Sequence, residues 1–389
     1  VVVTNGSAGV VLTHPGAELY GSDRMAVESV RALAEAGNQV TVVLPESGPL
    51  VELLEQAGAT VVFMSVPVLR KSMISPRGLG TLAWTSARGL IRALRLIRRL
   101  RPQAVYINTL TQPVWVVASW MSRVSSLVHV REAELGGNRH VQRVLHAPLG
   151  LVTRVIANSE STKRHVVDST PTVLGDIRVI YNGKAWDGYY RSDLSMEDGA
   201  LTVGFVGRLS PRKGVHVLVA ACGLLLERGM RVRLVIAGSV YTGYEWYEAE
   251  LRDAVEKSGL GGLVEFVGFV ENAGEVFSGA DIAVVPSLVE PFGTVAAEAL
   301  ASKRPVIASR VDGLQEIVTH EKTGLLVEPG QADQLADAIE RLVRDRTLAS
   351  DLASAGFEDV RDRFSLTQYA RATQDVVAEL RQGRPGRHG

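Results

Sequence analysis

At 389 residues the chain exceeds one ordinary core, and two domains are the natural division. Apolar residues at 46% and charged residues at 22% exclude a disordered chain, and a formal net charge of zero argues against a nucleic-acid binder. The lone Cys222 excludes a disulfide framework and fits a reducing compartment, while no apolar run reaches the roughly 18 residues that span a bilayer.

The first strand is expected over residues 9–13, followed by a loop over 14–23. Residues 1–9 carry neither a starting Met nor the basic opening of a secretory signal. In the loop, Gly21 lets the backbone approach a ligand, and Ser22 or Asp23 can cap the helix over 23–36. Strand 39–44, helix 49–57 and strand 60–64 follow, an alternation that predicts an α/β fold with a parallel sheet and helices on both faces.

Charge is uneven along the chain. Through residue 200 there are 21 Lys and Arg against 16 Asp and Glu; the remainder has 21 against 26. Nine basic residues and no acid fall between Arg70 and Arg101. A helix over 79–100 sets Arg88, Arg92, Arg95 and Arg99 on one side and Leu90, Leu94 and Ile97 on another. Such a helix can lie on an anionic membrane or simply cover the sheet with a solvated arginine face, and the second reading is the simpler. Buried strands are expected over 104–108 and 127–130, and His129 and Arg131 alternate, so one strand face carries both. Strand-like runs at 155–159 and 177–183 follow, and the aperiodic stretch 184–199 reads as a linker.

The second half holds two anion-binding candidates. One is Gly207-Arg208-Leu209-Ser210-Pro211-Arg212-Lys213-Gly214, between a strand over 202–206 and a helix over 215–228 in which Cys222 reads as a small buried hydrophobe. Arg208 can hold a phosphate with its planar fork, and Lys213 can act as a movable point charge. The other begins at strand 282–285, runs through Pro286, Glu290, Pro291, Phe292 and Gly293, and opens a helix over 294–302. The first N–H groups of that helix lack acceptors and favour an anion. Glu290 and Glu298, seven residues between them, would repel an anion and so suit hydroxyl groups; a ligand with both phosphate and many hydroxyls is a nucleotide sugar. The two loops converge on one crevice if their strands share a sheet. Strands over 232–238, ending at Gly238, over 265–271, carrying Phe269 and Val270, over 306–309 and over 324–327 complete the unit, with helices over 332–344 and 366–380.

At these residues the chain resembles the retaining glycosyltransferases of family 4. The carrying motifs are Gly207-Arg208-Leu209 with Lys213-Gly214, the Glu290-to-Glu298 pair around Pro291-Phe292-Gly293, Arg304-Pro305-Val306-Ile307-Ala308, Gly313-Leu314-Gln315-Glu316-Ile317-Val318 and Thr323-Gly324-Leu325-Leu326-Val327. They occur in the family's order over most of 200–345, and the resemblance over the first half is looser. It implies the GT-B architecture, two Rossmann-like domains facing each other across a deep crevice. Residues 1–182 would form the acceptor domain, 183–200 the hinge and 201–365 the donor domain, with 366–389 returning to the first. It further implies transfer of a sugar from a UDP- or GDP-sugar to a hydroxyl on a lipid, glycan or small molecule, with retention of configuration. The lone cysteine and the Arg88-to-Arg101 helix, apart from the resemblance, set the expected location in the cytoplasm or peripherally at the inner membrane face.

By the same resemblance Glu298 would hold ribose hydroxyls, Glu290 the transferred sugar, and the N–H groups of Phe292, Gly293 and Thr294 sugar and phosphate. Gly238 would lie against the nucleotide and backbone near Phe269 and Val270 against the base. Tyr20-Gly21-Ser22-Asp23 aligns with a paired-glycine loop that meets the donor's distal phosphate and the acceptor, with Tyr20 in place of the first glycine. His129 or Arg131 would occupy a strand-end position near the sugar, and residues 135–149 an acceptor-side segment. Glu290, Arg208, Lys213 and His129 are the catalytic candidates, and Tyr20, Asp23 and Arg131 the acceptor-side ones. No metal or cofactor is expected, because cations replace the metal at the leaving diphosphate. The rivals are a two-domain nicotinamide dehydrogenase, which would want a Gly-x-Gly-x-x-Gly that is absent, a phosphorylase lacking its lysine motif, a nucleotide-sugar epimerase, and a non-catalytic nucleotide-sugar sensor.

Overall fold

A computed structural model describes residues 9–19, 21–68, 76–131, 146–170, 177–190, 201–240 and 243–382. Tyr20, all of 135–149 before His146, and 191–199 of the expected linker lie outside the described residues. The chain divides into two compact units, Val1–Gly183 with Leu366–Gly389, and Lys184–Ser365.

The first unit runs β1 (Gly9–Thr13), α1 (Gly21–Glu35), β2 (Gln39–Leu44), α2 (Leu50–Gln56), β3 (Ala59–Phe63), α3 (Pro76–Leu100), β4 (Ala104–Ile107), α4 (Pro113–Met121), β5 (Ser125–Val130), β6 (Arg154–Ala157), α5 (Glu160–Ser169) and β7 (Arg178–Val179). The second runs β8 (Leu201–Val206), α6 (Val215–Glu227), β9 (Val232–Ala237), α7 (Glu245–Lys257), β10 (Val264–Gly268), α8 (Ala273–Ser278), β11 (Ile282–Val285), α9 (Thr294–Ala301), β12 (Val306–Ser309), α10 (Leu314–Ile317), β13 (Leu325–Val327), α11 (Ala332–Arg344) and α12 (Arg346–Arg363). Helix α13 (Leu366–Gln382) then belongs to the first unit.

Both sheets of described strands are parallel. Their orders are β3-β2-β1-β4-β5-β6-β7 and β10-β9-β8-β11-β12-β13. Each order reverses once, at β1/β4 and at β8/β11, and in such sheets ligands gather at the carboxyl ends of the strands beside the reversal. Strands buried on both faces read as unbroken apolar runs, which is why β11 (Ile-Ala-Val-Val) is buried at every position. In the first unit Tyr369, Val376, Val377 and Leu380 of α13 join the core of Val30, Leu33 and Leu12. Cys222 is 1% exposed inside the core of the second unit, where burial pushes its thiol up to about 12.

The structure adds helices α4, α5, α7, α8, α10 and α12 to the expected elements and differs from them at two further places. β10 ends at Gly268, whose backbone is left-handed (φ 75°), so Phe269 and Val270 sit on the loop after it instead of within it. In α12 the buried positions are Ala349, Leu352, Ala353, Gly356 and Val360, and three of these five are too small to mark an apolar stripe. Residues 184–190 are not loose linker: Lys184 pairs with Ser365 in a bridge, and the indole of Trp186 donates to the Phe364 carbonyl at 3.2 Å, both within the second unit.

Candidate functional site

The two expected anion loops follow β8 and β11, which are hydrogen-bonded neighbours in one sheet. The loops also bond to each other, since Leu288 N–H donates to the Arg212 carbonyl at 2.8 Å. Gly214 makes this approach possible. It is left-handed (φ 70°), and a Cβ there would stand 1.9 Å from the Pro286 carbonyl oxygen. At the other side of β8, a Cβ on Gly238 (φ 147°) would stand 1.8 Å from the Gly207 carbonyl oxygen. Both glycines are therefore required by backbone-to-backbone contact, and the strand-end surface they line is backbone rather than side chain.

Across the two loops the Lys213 ammonium meets the Glu290 carboxylate, which also accepts from Ser287 Oγ at 3.2 Å. The loop bearing Glu290 is pinned from both sides. Its N–H donates to Asp312 Oδ2 at 3.1 Å, and its carbonyl accepts from Gly313 N–H at 3.0 Å. Eight residues on, Glu298 is buried in α9, where it takes the Lys184 ammonium and the Tyr189 hydroxyl (3.1 Å). Lys184 also sits 4.9 Å from the centre of the Tyr189 ring. Each member of the acidic pair thus carries its own lysine. Side-chain exposure is 16% for Lys213 and 27% for Lys184, so both ion pairs reach solvent while their carboxylates are nearly buried. Arg208, half-buried, follows directly after Gly207. Gly293 and Thr294 open α9, and Phe292 is buried edge-on against Phe364 at 5.7 Å. Phe269 is 60% exposed. Sequence reasoning missed Lys184, Tyr189, Ser287 and Asp312; only the Asn-Gly dipeptide at 182–183, before Lys184, could have flagged a constrained position.

The first unit treats its candidates differently. Gly21 opens α1 at the surface, and Asp23 in its first turn accepts from His14 Nε2 at 2.7 Å. Arg131 is 8% exposed and donates to Asn108 Oδ1 (2.9 Å), Asn182 Oδ1 (2.8 Å) and the Tyr369 hydroxyl (2.9 Å). Because Asn108 Oδ1 receives Arg131, its amide nitrogen must donate to His14 Nδ1 (2.9 Å), which puts the His14 proton on Nε2, facing Asp23. A directional chain therefore runs from Arg131 through Asn108 and His14 to Asp23. His129 and Arg131 do share a strand face, but it is an interior one. His129 is wholly buried, and its Nδ1 takes the Tyr106 hydroxyl (2.6 Å) and Arg131 (3.0 Å). Burial, and then the Arg131 charge, hold its pKa well below the ordinary imidazole value, so it is neutral. The same burial, with Tyr369 nearby, pushes the Tyr106 phenol above its usual range. The structure does not bring His129 to a surface, and the expectation of a catalytic histidine there is corrected: the ring is enclosed with Tyr106 and Arg131 as its partners, and Tyr369 of α13 binds that same Arg131. His14 and Asn108, which the sequence reading passed over, occupy the strand ends at the β1/β4 reversal.

Residues 20–183 match the family described as Glycosyltransferase Family 4, and residues 190–359 the one described as Glycosyl transferases group 1. An uncharacterized glycosyltransferase of Methanocaldococcus jannaschii is 33% identical over 240 residues, 57% of this chain and 59% of that protein. The glycogen synthase of Mycobacterium tuberculosis is 29% identical over 326 residues, 78% of this chain and 77% of that one. In the first of these the chain spans only about three-fifths of its relative's length. Among solved structures, Anabaena HepE in complex with UDP superposes with a TM-score of 0.80 at 24% identity, covering 96% of this chain and 100% of its own.

Proposed function

The chain belongs to the family-4, group 1 glycosyltransferases of GT-B fold, and from that premise we propose that it moves a sugar from a nucleoside-diphosphate sugar to a hydroxyl acceptor with retention of anomeric configuration. The observation that carries the reading is the Lys213–Glu290 pair, which joins two glycine-bearing loops at adjoining strand ends, with Glu298 eight residues further on. When the glycosidic bond breaks, negative charge gathers on the departing diphosphate. Lys213 and Arg208, with the N–H groups that open α9, are the cations and dipoles available to stabilise it. Lys213 is held by Glu290 in this structure; a diphosphate would compete for the ammonium and release the carboxylate to the sugar hydroxyls. Glu298 would hold the ribose hydroxyls, with Lys184 and Tyr189 orienting it.

Retention follows if the acceptor attacks on the face the diphosphate leaves, the leaving phosphate taking the acceptor proton. Glu290 is then a hydroxyl ligand and not a covalent nucleophile. Positive charge from side chains serves the diphosphate in this scheme, so chelators should leave turnover intact. The test is incubation with radiolabelled UDP-, GDP-, ADP- and dTDP-sugars, following slow release of sugar and reading its first-formed anomer by NMR. Release of the donor's own anomer from one of them supports the assignment. Tight nucleotide binding without turnover of any donor would mark the chain as a sensor, and release of the inverted anomer would exclude retention.

A further inference from the structure

Helix α3 takes no part in the proposed transfer, yet it carries Arg77, Arg88, Arg92, Arg95, Arg98 and Arg99 and no acidic residue. One side of it packs on the sheet. Gly89, Ala93 and Ile97, spaced by four, are buried, and Leu90, Leu94, Leu96 and Leu100 lean on the core that holds Val105, Ile107 and Val128. With 100° of turn per residue, the opposite side presents Trp84, Arg88, Ile91, Arg95 and Arg98, with Arg92 and Arg99 on its margin. Trp84 is 65% and Ile91 50% exposed. A face meant only for water needs neither. The Arg88 guanidinium lies 5.8 Å from the Trp84 ring centre. Among the described residues no ion pair joins these arginines to an acid, and residues 70–101 contain none. Over some 15 residues the face extends for about 22 Å.

We infer that this face of α3 lies on an anionic phospholipid bilayer. Trp84 and Ile91 enter the boundary between headgroups and acyl chains, and the arginines clamp lipid phosphates around them. An indole over the headgroups with guanidinium groups beside it matches both layers of such a surface. A nucleic-acid duplex would offer phosphate but no apolar layer for Ile91. Among the described residues no helix is long and apolar enough to cross a membrane, so the attachment is peripheral, reversible and salt-sensitive.

The test uses the full chain and vesicles of phosphatidylcholine with or without phosphatidylglycerol, read by co-sedimentation at low and high salt. Binding to the anionic vesicles alone, weakened by salt, is expected. Each arginine should be worth about five-fold in partitioning, so combined Arg95→Gln, Arg98→Gln and Arg99→Gln should lower it by about 100-fold. Trp84→Ala should lower it about ten-fold and abolish the blue shift of tryptophan emission on vesicle addition. All these side chains are exposed, so thermal unfolding should not move, and the assay needs no sugar donor, so its result stands apart from the transfer reaction. Equal binding to neutral vesicles, no binding, retention by the triple variant, or displacement by a duplex oligonucleotide at lower concentration than by anionic vesicles would each overturn the assignment.

Discussion

The two units place charge in opposite ways. In the second, Glu290 and Glu298 each meet one lysine at a loop or helix edge, and both lysines keep part of their surface in water. In the first, Arg131 directs its donors to Asn108, Asn182, His129 and Tyr369, and all of these but the half-buried Asn182 are almost wholly buried. An ammonium on a flexible stem at a solvent edge can exchange a carboxylate for a phosphate at little cost. A buried guanidinium satisfied from several sides cannot leave without stranding its partners. The contrast separates a site built to be entered from a network built to hold α13 against α1 and β5.

Five measurements test that contrast. Glu290→Gln should lower the turnover number by about 10³-fold while nucleoside-diphosphate affinity changes less than about three-fold; the reverse pattern would remove Glu290 from the sugar. Gly238→Ala should destabilise the second unit by roughly 4 kcal/mol, because the new methyl meets the Gly207 carbonyl, as read by denaturant unfolding. Arg131→Met should cost about 3 kcal/mol of stability and leave donor affinity alone. An unchanged midpoint with a raised acceptor KM would instead return Arg131 to the acceptor side.

Lys213→Ala should weaken diphosphate binding by about 10- to 100-fold, measured by calorimetry, with Lys213→Arg recovering part of it; unchanged affinity would end its role. The smallest effect is in pH. Burial and the neighbouring His165 lower His146 from 6.5 to about 4, and His129 is lowered as well. The unfolded chain then binds more protons than the folded one, so stability is full above about 6.5 and is lost as pH falls toward 4. His146 contributes to that loss between pH 7 and 5, and His146→Gln should flatten the slope over that interval.

Strands β1, β2, β11 and β12 fall at the bounds expected from the sequence, because a doubly covered parallel strand is a contiguous apolar run ended by a turn residue. The glycine loops after β8 and β11 were legible for the same local reason. Helix α12 was not, since Ala349, Ala353 and Gly356 interrupt its buried face of Leu352 and Val360, and Gly356 lies where a Cβ would stand 2.5 Å from Leu300. The resemblance set His129 or Arg131 at a strand end near the sugar; the structure packs His129 against Tyr106 and Arg131, and Arg131 is itself held by Tyr369, 238 residues away in sequence, which no local pattern announces.

The main strands, the loops able to receive phosphate, and the arginine stripe of α3 follow from the sequence, because each depends on residues within a few positions of one another. Which ammonium meets which carboxylate was decided only by the tertiary structure. Lys213 and Glu290 are 77 residues apart and Lys184 and Glu298 are 114 apart. Their meeting requires β8 beside β11 and the chain after Gly183 folded onto α9, and long-range pairings of that kind come from the packing of whole elements.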